Sequence, residues 1–339
     1  MHPRLEFFTF KLRHSSDEIK TFRDFLLDQG KVTRLQKDRA IFSVLYDYFL
    51  CAPLKNYKKD ELLKKSLAII PNRKFNKYYD ERPKPNFNES IISGVINAGP
   101  FGKEGILGNI SDIDNVHGLG RNQTILHYHY IFVYLPLNHD QGFFMVHSDT
   151  QDERITQSCR KWVSDVFRGG AYLKPEISLF MPRSFMDSYK NDAQLDSISF
   201  KNRINNKSVD IDDPITEKLK EFDIQITITP KKKLGIGYLS DLKKYLSKAF
   251  FKAPNINFAL ENSDKISVNT KNPVMNTSKV FTWNEKDKDF YPTIYLENYV
   301  TLDESGTPIF SELDKYCYNL FTSEILLELR RDLYVERVD

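Results

Sequence analysis

His127 and His129 occupy alternate positions in the most strand-like stretch of the chain, residues 125–135. On an extended backbone they share one face, with side chains roughly 6–7 Å apart. Two imidazoles so placed can take one metal ion between them or relay a proton. Hydrolytic metal chemistry needs a further ligand from another element, and Asp112, Asp114 and His117, in the segment just before the strand, are nearest in sequence. His147 is less suited: if Leu137 pairs with Gly142 across the next turn, His147 lies opposite Phe132, on the other face. The competing reading is a pair of histidines near a strand end, hydrogen-bonded to neighbouring backbone, and it is the one we favour.

Binding of phosphates is the second chemistry the residue types allow. Residues 71–88 interleave Arg73, Lys74, Lys77, Arg82 and Lys84 with Phe75, Tyr78, Tyr79 and Phe87. Cations for phosphates beside rings for bases are what a single-stranded nucleic-acid surface needs; a solvated loop stapled down by its aromatics has the same composition. Lys231, Lys232 and Lys233 form the densest positive run, followed by Lys243 and Lys244 on a segment with helical spacing. Such a run neutralises phosphates without reading sequence, or simply guards a sheet edge.

Specific catalytic patterns are missing. Gly94, Gly99, Gly102, Gly105 and Gly108 invite a test for a phosphate cradle, but Lys103 is followed by Glu104 rather than Ser or Thr, and no GxGxxG joins a strand to a helix. Tight hairpins or bulges explain these glycines better. The strand from Asp223 carries Gln225 and Thr227 where a nuclease core wants an acid and a lysine. No GxSxG or HExxH occurs, and no cofactor is indicated; Mg or Mn enters only if the chain is a nuclease.

The elements that must position these groups follow from periodicity. Residues 5–12 alternate as a strand, and Ser15 with Glu18 forms a capping box for a helix carrying Phe22, Phe25 and Leu26. Residues 40–50 are apolar at both periods and lean to strand, while residues 57–70 read as a Lys-rich amphipathic helix closed by Pro71. Residues 125–135 are apolar on both faces, hence an interior strand, with a return strand at 143–147. A helix then carries Ile155, Cys159, Trp162, Val163, Val166 and Phe167 on one stripe, with Arg154, Arg160, Lys161 and Arg168 off it. In the second half, strands are expected near 175–182, 195–204, 223–229, 259–270, 279–283 and 292–302, helices near 214 and 238–251, and a long helix over 311–334. The expected class is α+β: two domains, 1–170 and 171–339, each a mixed or antiparallel sheet with helices packed on it; in the second half the strand–helix alternation suggests helices on one side of a mixed sheet.

Composition sets the outer limits. The 339 residues, 40% hydrophobic with 25 Phe and 18 Tyr, suffice for real cores, and 49 basic against 46 acidic side chains leave a net charge of only +3. Any nucleic-acid footprint must therefore be local. Three widely spaced cysteines with no CxxC pair suggest a reducing, cytoplasmic setting. No apolar run approaches the roughly 20 residues of a membrane span.

Gly94, Asn97-Ala98-Gly99 and Gly102, then His127-Tyr128-His129-Tyr130-Ile131-Phe132-Val133-Tyr134-Leu135-Pro136-Leu137 and Gly142-Phe143-Phe144-Met145-Val146, resemble uncharacterised bacterial proteins found among phage-defence genes. The resemblance covers only the middle of the chain, and its residues are mostly structural. It implies a bacterial cytosolic defence component and carries over no catalytic residue. Two functions follow as expectations. One is a non-catalytic component that binds nucleic acid, a partner protein or its own copies; the other is a metal-dependent nuclease or phosphoesterase built on the histidines.

Overall fold

Arg4–His14 (β1) is a strand that buries both faces, Leu5 and Phe7 on one and Phe8, Phe10 and Leu12 on the other, and the rest of its sheet is assembled on either side of it. The computed structural model describes residues 2–51, 54–149, 154–203, 223–235, 250–253, 256–259, 265–273, 277–282 and 293–335. They fall into two units, Met1–Phe180 with Ile294–Asp339, and Met181–Thr293. The division expected at residue 170 lies inside the first unit, which also holds the C-terminal helix. The class is α+β, and every described strand pair is antiparallel.

In the first unit the strands are Lys58–Asp60 (β2), Lys65–Ala68 (β3), Lys84–Asn86 (β4), Ile91–Pro100 (β5), Gly105–Asn109 (β6), Asp112–Leu119 (β7), His127–Tyr134 (β8), Gln141–Ser148 (β9) and Tyr172–Phe180 (β10). The main sheet runs β10-β1-β9-β8-β5-β3-β2, with β4 against β5 and a short strand, Ile294–Tyr295, against β1. One face carries Phe8, Phe10, Ile131, Val133, Phe144 and Val146. Over it lie helices Phe22–Asp28 (α1), Asp38–Tyr46 (α2) and Arg154–Val166 (α3). The other face carries Tyr130, Phe132, Tyr134 and Phe143. Against it packs the C-terminal helix, Phe310–Leu320, whose next residue Phe321 stands 5.1, 4.9 and 5.7 Å from Phe132, Tyr134 and Phe143 by ring centroids. Helices therefore cover both faces, as expected from residues 125–135 being apolar on both sides.

Several local expectations change. Residues 40–50 form α2 and a wider helical turn, Asp47–Cys51, because Ile41, Phe42, Leu45 and Phe49 bury one helical face. Residues 57–70 form the β2–β3 hairpin instead of a helix. The Asp60 carboxylate accepts from the Leu62 and Leu63 amides at 3.1 and 3.2 Å and so builds the turn, and β3 finds a partner in β5. The first helix starts later than its expected cap, since the Ser15 amide still bonds the Ala171 carbonyl beside the end of β1. Thr21 and Asp24 make the capping box in place of Ser15 and Glu18. The long C-terminal helix widens over Phe321–Ile325 and ends at Leu329 before a short turn of helix, Asp332–Val335. In place of the strand expected over residues 292–302, the described residues 293–302 hold the two-residue strand, a 3-10 turn, Leu296–Asn298, and an isolated bridge from Leu302 to Pro308.

Two glycines of the punctuated stretch have a packing reason. Gly94 adopts φ +147°, and a Cβ there would stand 2.5 Å from the Pro83 backbone; a Cβ on Gly99 would stand 1.8 Å from the Ile125 carbonyl oxygen. Backbone on both sides leaves nothing flexible to yield. Gly99→Ala is expected to lower stability by about 3 kcal/mol, measured by urea unfolding. A change near zero would mean the 124–126 segment lifts away from β5.

The second unit contains a helix, Arg183–Asp192 (α4), that periodicity did not reveal. Its strands are Gln194–Arg203 (β11), Asp223–Ile228 (β12), Phe250–Ala253 (β13), Ile256–Ala259 (β14), Lys265–Asn272 (β15) and Thr277–Thr282 (β16). They form a sheet in the order β12-β11-β15-β16 and a separate β13–β14 hairpin. Ile198, Phe200 and Val268 are buried, and the Tyr189 hydroxyl meets Thr270 Oγ1 at 2.7 Å. Phe250 and Phe251, expected to end a helix, lie in β13; the rest of that helix and the one near 214 fall outside the described residues.

Candidate functional site

The histidine pair does not present two equivalent imidazoles. His127 is exposed at the start of β8 and His129 is buried. The β8–β9 ladder ends at the Ile131↔Val146 pair, and beyond it the His129 ring takes over: Nδ1 lies 3.2 Å from the His147 carbonyl oxygen. A carbonyl can only accept, so Nδ1 carries the proton. This is the backbone-bonded role favoured from the sequence.

His147 does stand on the opposite face, where its ring meets Phe310 edge-on at 5.8 Å. The register differs from the one assumed, because Ile131 rather than Val133 faces Val146, a slip of two that preserves the face. The His129 and His147 rings are nonetheless 6.0 Å apart. His147 is buried with neither ring nitrogen hydrogen-bonded. Burial, and secondarily the neighbouring His129, lower its pKa to about 3, so it is neutral at pH 7. Both rings and His127 line a cleft of about 450 Å³ together with Tyr128, Asp149 and Thr307.

Asp112, Asp114 and His117 sit on β7, a hairpin strand, where a loop was expected, and all three are exposed. His117 lines a different cleft, beside Tyr57, Phe101 and Leu119. Among the described residues no three His, Cys, Asp or Glu side chains are grouped to hold a metal ion. Cys159 and Cys317 are buried thiols in the packed helices, and burial pushes Cys317 far up in pKa.

The basic–aromatic segment is partly committed to its own fold. Arg73 pairs with Asp80 at 2.9 Å, and Lys77 lies 3.6 Å from Asp303. Tyr78 packs edge-on against Tyr128 and Phe310 at 4.8 and 4.6 Å, and Arg82 stacks 3.6 Å over Tyr79. Lys74 and Phe75 remain exposed. The aromatics thus mainly staple the segment to the body. Lys231, Lys232 and Lys233 are exposed just after β12, in the second unit. Lys243 and Lys244 lie outside the described residues.

A more concentrated cationic site lies between α3 and the edge strand β10. A cleft of about 550 Å³ is lined by Arg160, Lys161, Arg168 and Lys174, with Asp165 as its one acid and Pro175 and Ile177 as its apolar wall. Asp165 is held by Lys58 at 3.1 Å and Lys161 by Asp60 at 2.9 Å. Burial works against the charged form of Asp60, but the Lys161 bond and the two turn amides together hold its pKa below the usual value. Arg160 lies 5.4 Å from the Phe8 ring centre and keeps its Nε buried without an acceptor. Among the described residues Arg160, Arg168 and Lys174 have no ion-pair partner. Low-dielectric walls lined by one sign of charge concentrate the field in such a cleft.

The periodicity of α3 placed Arg160, Lys161 and Arg168 off the buried stripe. What it did not show was that Lys174 joins them, because that depends on β10 pairing with β1. No protein-family model matches the chain, and neither a curated protein nor a solved structure does. Among the described residues no helix is long and apolar enough to cross a membrane.

Proposed function

We propose that this protein is a nucleic-acid-binding component of a bacterial antiphage assembly, gripping the phosphate backbone in the α3–β10 cleft. The observation that carries the reading is the set of Arg160, Arg168 and Lys174, cations without protein counter-ions around one already neutralised acid. Backbone phosphates are the ligands that such a set satisfies, and release of counter-ions drives the association. Arg160 adds a planar guanidinium at the cleft wall, a group suited to phosphate oxygens. Assignment to a defence assembly draws on the resemblance of the middle of the chain. Exposed Lys74 and Phe75, and Lys231 to Lys233, are secondary contact points.

The test is fluorescence anisotropy with labelled single-stranded and duplex DNA and RNA across a salt series. Arg168→Glu with Lys174→Glu, both exposed and fold-neutral, is expected to weaken binding at low salt by about a hundredfold. The slope of log affinity against log salt should fall by about 1.4 for single strands and 1.8 for duplex. A folded double variant with unchanged affinity and slope would rule out the cleft. Loss confined to Lys231→Ala with Lys232→Ala and Lys233→Ala would move the site to the second unit.

A further inference from the structure

The hairpin β6–β7 interrupts the connection from β5 to β8, and among the described residues its strands pair only with each other. In its register Ile106 faces Gly118 and Gly108 faces Val116, so Ile106 and Val116 share one side of the ribbon as diagonal neighbours. The opposite side carries Leu107, His117 and Leu119, which line the cleft with Tyr57 and Phe101. The outer side is left to solvent: Ile106 is 76% exposed, Val116 49% and Ile110, at the tip, fully exposed. A two-stranded ribbon is marginal in water, and a third strand or a covering surface is what makes it stable.

The charge pattern of the sheet edges says what covers it. β2 reads Lys58-Lys59-Asp60, β4 reads Lys84-Pro85-Asn86, and β10 contains Lys174, Pro175 and Glu176; lysine and proline are the residues that block edge pairing. β6 reads Gly105-Ile106-Leu107-Gly108-Asn109, with no charge and no proline. Its partner β7 carries Asp112 and Asp114, so pairing through β7 would set like charges of two copies against each other. Within this hairpin the edge free of charge and proline is β6.

We propose that two copies of this chain associate through their β6 edges. The strands run antiparallel about a two-fold axis and make one four-stranded sheet from the two hairpins. The same surface then serves both partners, as a closed dimer requires. Ile106 and Val116 of both copies form one apolar strip across the new sheet, and the four aspartates stay on its outer strands.

Light scattering on size-exclusion fractions tests this, using full-length protein freed of nucleic acid so that the outcome does not depend on the α3–β10 cleft. The wild type is expected to run as a concentration-dependent dimer. Ile106→Lys, an exposed position where the side chain meets no core, should raise the dimer dissociation constant by about tenfold or more. Its thermal unfolding at low concentration should match the wild type. Hydrogen exchange over residues 105–109 should slow as wild-type concentration rises. A wild type that stays monomeric throughout overturns the proposal, as does an Ile106→Lys variant that dimerises as tightly as the parent.

Discussion

Phe167→Ala is expected to cost about 3–5 kcal/mol, toward the upper end for a buried aromatic. Phe167 follows α3 directly and is fully buried. Its ring centre lies 5.5 Å from Phe10, 5.2 Å from Phe22, 5.3 Å from Phe25 and 5.7 Å from Phe49. One side chain thereby joins β1, α1, the turn after α2 and the end of α3. Its removal loses transfer free energy and four aromatic contacts, and the rigid sheet beneath cannot close the cavity. Urea unfolding gives the total, while hydrogen exchange locates it: amides of α1 should lose protection together with those of α3. If stability drops by less than about 1 kcal/mol, as at a surface site, Phe167 is not the junction described.

Phe167 also illustrates what was legible in the sequence. The stripe Ile155, Cys159, Trp162, Val163, Val166 and Phe167 predicted both the helix and its buried face, because α3 is amphipathic and long enough for its period to show. The same holds for β1, β8, β11 and β12, whose alternation or two-sided apolar character marks them as strands. Residues 57–70 misled because leucines at positions 62, 63 and 67 have helical spacing. Yet Leu62 is 87% exposed in a hairpin turn while Leu67 is buried in β3, so tertiary pairing with β5 outweighed the local period. The candidate site was legible only in pieces. Three cations of the α3–β10 cleft were visible as off-stripe residues. The fourth, Lys174, joins them only because a strand distant in sequence pairs beside β1. The metal reading of His127 and His129 depended on the end of the β8–β9 ladder. There the His129 ring stands in for a strand hydrogen bond, a detail that no spacing rule predicts.

Lowering the pH should weaken the first unit through His147, beyond the general effect of protonating carboxylates. The ring is neutral in the folded protein, with a pKa near 3, and would return to the ordinary value of 6.5 on unfolding. The unfolded chain therefore binds the extra proton between these values. Stability from this group is complete above pH 6.5 and is lost progressively as pH falls toward 3. At pH 4.5 the loss from this one residue is about 3 kcal/mol, at 1.36 kcal/mol per unit of pH. Nothing around the ring offsets it: His129 adds like charge when protonated, Phe310 adds none, and no hydrogen bond holds either nitrogen. His147→Leu removes a buried polar group that has no partner, so at pH 7 the variant should be as stable as the parent or more so. The decisive comparison is the urea midpoint of both proteins from pH 7 down to pH 4.5. The variant should show a clearly flatter decline, and parallel curves would mean that His147 reaches solvent or a proton acceptor before the unit unfolds.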